Sequence, residues 1–230
     1  MIGIIGAMES EVAAFKEEIE IEEVREAAGM SFCAGRLCGK EVAVVQSGIG
    51  KVNAAVCAQI LVDDFKTDIL INTGIAGSLD ARIDIGDIVI STDALHHDMY
   101  ATLYGDPVGQ IPGMSVLAFP ADERLVRLAE EANREVNPDI RAFTGRVASG
   151  DQFISSAQEK ARIIEEFHPL CTEMEGAAVA QAAYLNKVSY VIIRAISDKA
   201  DNSAHMDFSV FEKQAVARSV RLVKRLLAKI

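Results

Sequence analysis

Apolar residues along this chain fall into two patterns: short unbroken runs, and longer stretches in which apolar positions recur every three or four residues. Residues 2–6 (IGIIG), 68–73 (DILINT), GDIVISTDA from Gly86, IRAFTGRVAS (140–149) and SYVIIRAIS (189–197) belong to the first pattern and read as strands. Residues 31–37 and 41–47 read as two strands of a hairpin joined through CGKE. The second pattern predicts helices. One starts at Ser10, placed as an N-cap before EVAAFKEEI. Others cover residues 51–65 and a face formed by Leu125, Leu128, Ala129, Ala132 and Val136. Two more lie near 156–167 and within the acidic EMEGAAVAQAAYL segment. The last aligns Phe208, Phe211, Ala215, Val216, Val220, Val223 and Leu227 along one side.

Strands alternating with helices predict an α/β fold with a mostly parallel, helix-covered sheet, to which the early hairpin adds antiparallel pairing. With no internal repeat, low-complexity tract or linker, residues 1–230 read as a single domain. Residues 100–113 stand apart: Gly105, Pro107, Gly109, Pro112 and Gly113 interrupt any period, and an irregular loop of that length in a compact domain usually has a task.

Composition narrows the range of partners. A formal net charge of −11 repels phosphate backbones and anionic lipid heads, which argues against nucleic-acid and membrane-surface roles. The N-terminal MIGIIGAMESE has no basic region and carries acids at Glu9 and Glu11, so it does not read as a signal peptide. No apolar run approaches the ~18 residues of a spanning helix. The four cysteines, Cys33, Cys38, Cys57 and Cys171, show no C-x-x-C pair, and read as reduced thiols of a cytoplasmic protein.

In open α/β sheets, ligands bind beyond the carboxyl ends of the strands. Here those ends supply Glu9, Ser10 and Glu11; the turn Gly74-Ile75-Ala76-Gly77; Asp151, Gln152, Phe153 and Ile154; Glu173, Met174 and Glu175; and Asp198. Carboxylates gathered in a partly apolar cleft suit general acid and base work on a glycosidic bond, or the binding of a divalent cation. Ser47-Gly-Ile-Gly-Lys51 falls short of a phosphate loop, because Val45 stands where a glycine is required and Val52 where Ser or Thr should follow the lysine. No G-x-G-x-x-G supports a dinucleotide site. His96-His97-Asp98 makes a poor metal site, since adjacent strand residues point to opposite faces. Arg194, inside an apolar strand, is expected to be buried and held by one of these carboxylates, because an unpaired buried charge is very unfavourable.

Six blocks occur in order: GIIGAMESEV, SGIGKVNAA, INTGIAGS, SGDQFI, EMEGAAVA and RAISDKAD. Together they resemble the 5′-methylthioadenosine/S-adenosylhomocysteine nucleosidases of the nucleoside phosphorylase-like superfamily, over nearly the whole chain. The resemblance implies a three-layer α/β/α fold and hydrolysis of both nucleosides to adenine and a 5-thioribose, with 5′-deoxyadenosine as a further substrate. It implies no cofactor and no metal. It assigns Asp198 as the general acid at adenine N7 and Glu11 as the base that activates water. Such an acid needs its pKa raised from the reference value of ~3.9, which desolvation would do. The resemblance also implies that Glu175 takes the ribose hydroxyls beside Met174, that Phe153 stacks on adenine and that the Ile154 backbone reads its edge. Ile49, Gly77, Glu173, Arg194, Ser197 and Phe208 match lining or supporting positions. It further implies a homodimer whose partner chain closes the 5′ end of the site through the 100–113 loop, with Tyr104 and Pro112 as contacts. Some family members have serine where this chain has Ile75, so no side-chain hydroxyl is available at that turn. A phosphorylase of the same fold and a non-catalytic nucleoside-binding protein are the alternatives, though Met8-Glu9-Ser10-Glu11 would repel phosphate.

Overall fold

A computed structural model describes residues 1–202 and 204–230, leaving the side chains of Tyr104 and of residues 205–209 outside the described set. Its central strands are β4 (Lys40–Gln46), β1 (Ile2–Gly6), β5 (Ile69–Ser78) and β10 (Ser189–Asp198), side by side and parallel. Helices cover both faces, which is why these strands read as continuous apolar runs rather than alternating ones.

Helices α2 (Lys51–Phe65) and α5 (Gly176–Asn186) pack on one face through Ala54, Cys57, Ala58 and Leu61 against the alanines of α5. Helices α1 (Glu9–Glu18), α3 (Glu123–Val136) and α6 (Ala204–Lys229) cover the other, burying Phe15, Leu125, Ala129, Val220 and Val223. The layers are therefore α/β/α. Helix α4 (Ala157–Phe167) packs separately, placing Ile163 and Phe167 against Leu79, Leu95 and Ala148.

The sheet has ten strands and is only partly open. Beyond β10 it continues antiparallel to β6 (Ile88–His96), then parallel to β8 (Ala142–Ser149) and β9 (Cys171–Glu173). Strand β9 then pairs back onto β5 at Gly77 and Ser78, closing a ring of five strands. Closure brings the ends of β5, β8, β9 and β10 to a common rim, where an open sheet would have spread them along a line.

Several boundaries differ from those read in the sequence. Gly74-Ile75-Ala76-Gly77 is not a turn: β5 runs through it, held extended by pairing of residues 74–76 with Arg194, Ala195 and Ile196 of β10. The N-cap of α1 is Met8 rather than Ser10, because the Glu11 carboxylate reaches back to the Met8 N–H. Ser10 Oγ instead donates to Glu212 Oε1 at 2.8 Å. Strand β2 (Glu20–Ala27), outermost beside β3 (Met30–Leu37), carries no apolar period because almost all of EIEEVREA is exposed. Charged residues on such an edge discourage pairing with other chains. A two-residue strand, β7 (Phe119–Pro120), pairs with β6 and is too short to leave a pattern. Among the described residues no helix is long and apolar enough to cross a membrane, and all four cysteines are free.

Candidate active site

At the rim, the ends of β1, β5, β9 and β10 surround a cavity of about 290 Å³. Its lining is Ala7, Met8, Glu11, Ile49, Ile75, Ala76, Gly77, Phe153, Thr172, Glu173, Met174, Glu175, Ser197 and Asp198. A smaller recess of about 30 Å³ shares Gly77, Phe153 and Asp198 with it and adds Gln152 and Ile154. Asp198 and Arg194 leave only 2% of their surface exposed, and Glu11, Glu173 and Glu175 no more than 8%. So many charged groups in so little water must either pair or hold protons.

Glu11 is placed by the first turn of α1. Its Oε2 accepts from the amides of Ala7 at 2.7 Å and Met8 at 3.0 Å, and its Oε1 from the amide of Ile75 at 3.1 Å. Burial nevertheless pushes the carboxyl above its ordinary value, with Arg194 and the three amides pulling the other way. A Cβ on Gly74 would stand 2.3 Å from Glu11 Oε1, so only glycine admits the carboxylate here. Likewise a Cβ on Gly77 would stand 2.8 Å from Asp198 Oδ1. The two acids thus approach β5 at glycines three positions apart, roughly 10 Å along the strand.

Glu173 and Glu175 lie two residues apart and differ in kind. Glu173 is saturated: it accepts from Arg194 Nη2 and Ser149 Oγ, and from the amides of Glu175 at 3.1 Å and Gly176 at 2.8 Å. Burial alone would raise its pKa, but the Arg194 guanidinium and the Ser149 hydroxyl outweigh that and hold it low. Arg194 does not line the cavity. It lies beneath, where Nη2 also donates to Asn72 Oδ1 at 2.5 Å, while its Nε and Nη1 have no hydrogen-bond partner among the described residues. Glu175 faces the cavity with one bond, from the Gly50 amide to Oε1 at 2.9 Å. Burial, reinforced by repulsion from Glu173 and Glu11, pushes it up to about 8. Asp198, at the end of β10, is held by Ser197 Oγ at 2.8 Å and the Ala200 amide at 2.8 Å.

The apolar wall is Met174, Ile75 and Ala76, with Ile49 and Phe153 partly open to solvent at the mouth. Pro112 is exposed on its loop and takes no part in the lining; Phe208 and Tyr104 lie outside the described side chains.

The phosphorylase superfamily model matches residues 1–228. A 5′-methylthioadenosine/S-adenosylhomocysteine nucleosidase of Staphylococcus saprophyticus is 43% identical over 231 residues, covering all of both chains. This chain belongs to that nucleosidase family. Among solved structures, a nucleosidase of Neisseria meningitidis in complex with methylthio-immucillin-A superposes with a TM-score of 0.95 at 36% identity, covering 100% of this chain and 99% of that one. A futalosine hydrolase of Helicobacter pylori superposes with a TM-score of 0.94 at 32% identity, covering 100% and 97%.

In this nucleosidase-family chain some site residues carry no individual signal in the sequence. Asn72 and Ser149 are ordinary strand residues until folding brings them to Arg194 and Glu173. Of the histidine pair, His96 Nε2 bonds Gln181 Oε1 at 3.0 Å, while His97 is fully buried beside the start of the Phe153 loop. Burial lowers both histidines' pKa values, which keeps the rings neutral.

Proposed function

We propose that this protein hydrolyses the N-glycosidic bond of 5′-methylthioadenosine and S-adenosylhomocysteine, releasing adenine and the 5-thioribose. The observation that carries this reading is the position of Glu11. Its carboxylate occupies the amides at the start of α1 and lines the same cavity as Asp198. A phosphorylase would need such amides for its phosphate dianion. With an anion already there, a second one about 4 Å away would be repelled by roughly 4 kcal/mol at an effective dielectric near 20. A neutral water is not repelled, and a carboxylate can take its proton.

The adenine lies between Phe153 and Asp198, with its edge on the Ile154 backbone in the smaller recess. As the C1′–N9 bond breaks, its electron pair passes to the purine and Asp198 donates a proton to N7. Water attacks C1′ from the Glu11 side and yields its second proton to Glu11, so the acid loses one proton and the base gains one. The oxocarbenium-like ribose is pinned through its hydroxyls by Glu175, next to Met174. Glu173 and Arg194 act on this floor as fixed supports, Glu173 through Arg194 and Ser149 and Arg194 Nη2 through Glu173 and Asn72. Ile49 borders the 5′ substituent. No step requires a cofactor or metal.

The working form is a homodimer of cytoplasmic protein. In support, apolar side chains stand exposed on α2 (Val52, Val56), beside it (Ile49) and on the 100–113 loop (Leu103). A partner there would cover these side chains and close the 5′ end of the cavity through the 100–113 loop. Sedimentation giving an active monomer at working concentration would end the dimer reading.

The reaction is tested by incubating the protein with each nucleoside in phosphate-free buffer. Adenine and free thioribose are expected, with no rate gain from added phosphate. A sugar phosphate as the main product would promote the phosphorylase, and adenine binding without turnover would indicate a nucleoside-binding protein. The futalosine hydrolase likeness makes futalosine a useful member of the substrate panel.

A further inference from the structure

The loop that follows β8 carries Phe153 into the cavity, yet Asp151, Gln152 and Phe153 are themselves exposed. Such exposure leaves polar contacts a large share in setting where residues 151 and 152 lie. The loop's start is anchored by sheet-like bonds, from the His97 amide to Ser149 O at 2.9 Å and from the Gly150 amide to Glu173 O at 3.1 Å. Past that point a closed cycle of polar contacts takes over. The Lys51 amide, first in α2, donates to Asp151 Oδ1 at 2.8 Å. Lys51 Nζ donates to Asp98 Oδ1 at 2.5 Å. Asp98 Oδ2 in turn accepts from the Asp151 amide at 2.9 Å. Three separate parts of the chain, the start of α2, the end of β6 and the loop after β8, are thus tied at one point.

We propose that Lys51, Asp98 and Asp151 form a clasp that positions the Phe153 loop against the purine, so that Lys51 and Asp98 are positioning residues for base recognition. The proposal rests on the nucleosidase reading for the identity of the base. Its physical content is preorganisation. Both oxygens of Asp98 are engaged, and its contact with Lys51 is partly buried, with side-chain exposures of 19% for Lys51 and 28% for Asp98. Screening is weaker there than for a surface pair. Without the clasp the loop spends part of its time away from the cavity, and apparent affinity falls by the fraction of closed loop. Substrate once bound would still meet Asp198 and Glu11 in place, so the loss belongs in KM and not in kcat. The sugar side is untouched, because Gly50 holds Glu175 through its backbone amide, which a change in the Lys51 side chain leaves intact.

The test uses Lys51→Met and Asp98→Ala, separately and together, with Asp98→Asn as the conservative variant. Wild-type protein must first release adenine from methylthioadenosine; if it does not, the nucleosidase reading has failed, whatever the variants do. Binding of free adenine and of free methylthioribose is then measured by calorimetry. Each single variant is expected to weaken adenine about tenfold, the size of a lost hydrogen bond to a charged group. KM for methylthioadenosine should rise by the same factor, with kcat within about threefold and methylthioribose affinity unchanged. The double variant should match the singles, because either change opens the same clasp. Asp98→Asn, which keeps one oxygen for the Asp151 amide, should fall between. Unchanged adenine affinity in folded variants, equal weakening of adenine and methylthioribose, or a loss confined to kcat would each overturn the clasp. Should Asp98→Ala fail to fold, Lys51→Met, which removes only the ammonium, keeps the proposal testable.

Discussion

Beneath the cavity and along the seam between α6 and its neighbours, this protein uses the same residue types in two different solvents. On the floor of the site, Arg194 and Glu173 meet almost out of contact with water, with Glu11 and Glu175 close enough to act on the arginine electrostatically. Along the seam, Lys224 pairs with Glu18, Arg225 with Glu135 and Lys229 with Glu135 at 2.7 Å, all on partly exposed side chains. Surface pairs gain little, because water already solvates their charges. Buried ones cannot lose a partner without leaving a charge that nothing solvates. The difference teaches where chemistry can arise: only the buried group displaces its carboxyls from their ordinary pKa values in opposite directions within two residues of chain.

The largest effect that would sharpen this contrast is on turnover. Glu11→Gln keeps the shape of the side chain but cannot take a proton, and kcat is expected to fall at least ~10³-fold with nucleoside binding nearly intact. Adenine release and ligand titration read the two separately. Arg194→Met should be comparably severe in stability. It strands the Glu173 carboxylate, at about 3–5 kcal/mol, measured by urea unfolding. A change below 1 kcal/mol would show that the floor behaves like the surface. Asp198→Asn should lower kcat at least ~10²-fold for adenine nucleosides and spare substrates whose leaving group needs no proton.

A smaller effect concerns pH. The folded state raises Glu175 from its ordinary 4.5 to about 8, so between these values the folded protein holds a proton that the unfolded chain has released. Stability from this group is complete below about pH 4.5 and is lost as pH rises through 8, with a slope of up to ~1.4 kcal/mol per pH unit. Glu11, also raised, acts in the same direction. Ligand-free protein should therefore unfold more easily at pH 8.5 than at pH 6, and Glu175→Gln should flatten that slope. An identical slope in the variant would remove Glu175 as its source. The smallest effect is on the seam: Glu135→Ala should leave the melting temperature within about 2 °C and the activity unchanged. A larger drop would break the comparison from its other side.

How far the sequence could be read followed burial. Strands IGIIG and SYVIIRAIS, buried on both faces, declared themselves as apolar runs, and α3 by its one-sided stripe. Strand β2 did not, because nothing selects a period in a strand that buries so little. The GIAG segment read as a turn because glycine favours turns. In the fold its glycines serve close approach instead, making room for Glu11 and Asp198 beside an extended strand. Ser10 read as a cap because its residue type suits one, but the local competition went to the longer Glu11 side chain. The six ordered motifs pointed to the residues that now surround the cavity. Asn72, Ser149 and Asp151 stood in these motifs and Asp98 beside the histidine pair, but their partners were not legible, since each acts through a group far away in the chain.

By itself the sequence determined the alternation of helix and strand, the strand ends at which acids would gather, and the family. These follow from local periodicity and from motifs a few residues long. Tertiary structure alone decided that the sheet closes through β9 into a ring, which places Asp198, Glu173 and Gly77 on one rim. It also decided that Glu173 is spent on Arg194 while Glu175 is left facing the cavity. Two carboxylates two residues apart look alike in a sequence. Which one keeps its proton depends on the distance to a guanidinium 21 residues from Glu173 along the chain, and on how much water folding leaves around each.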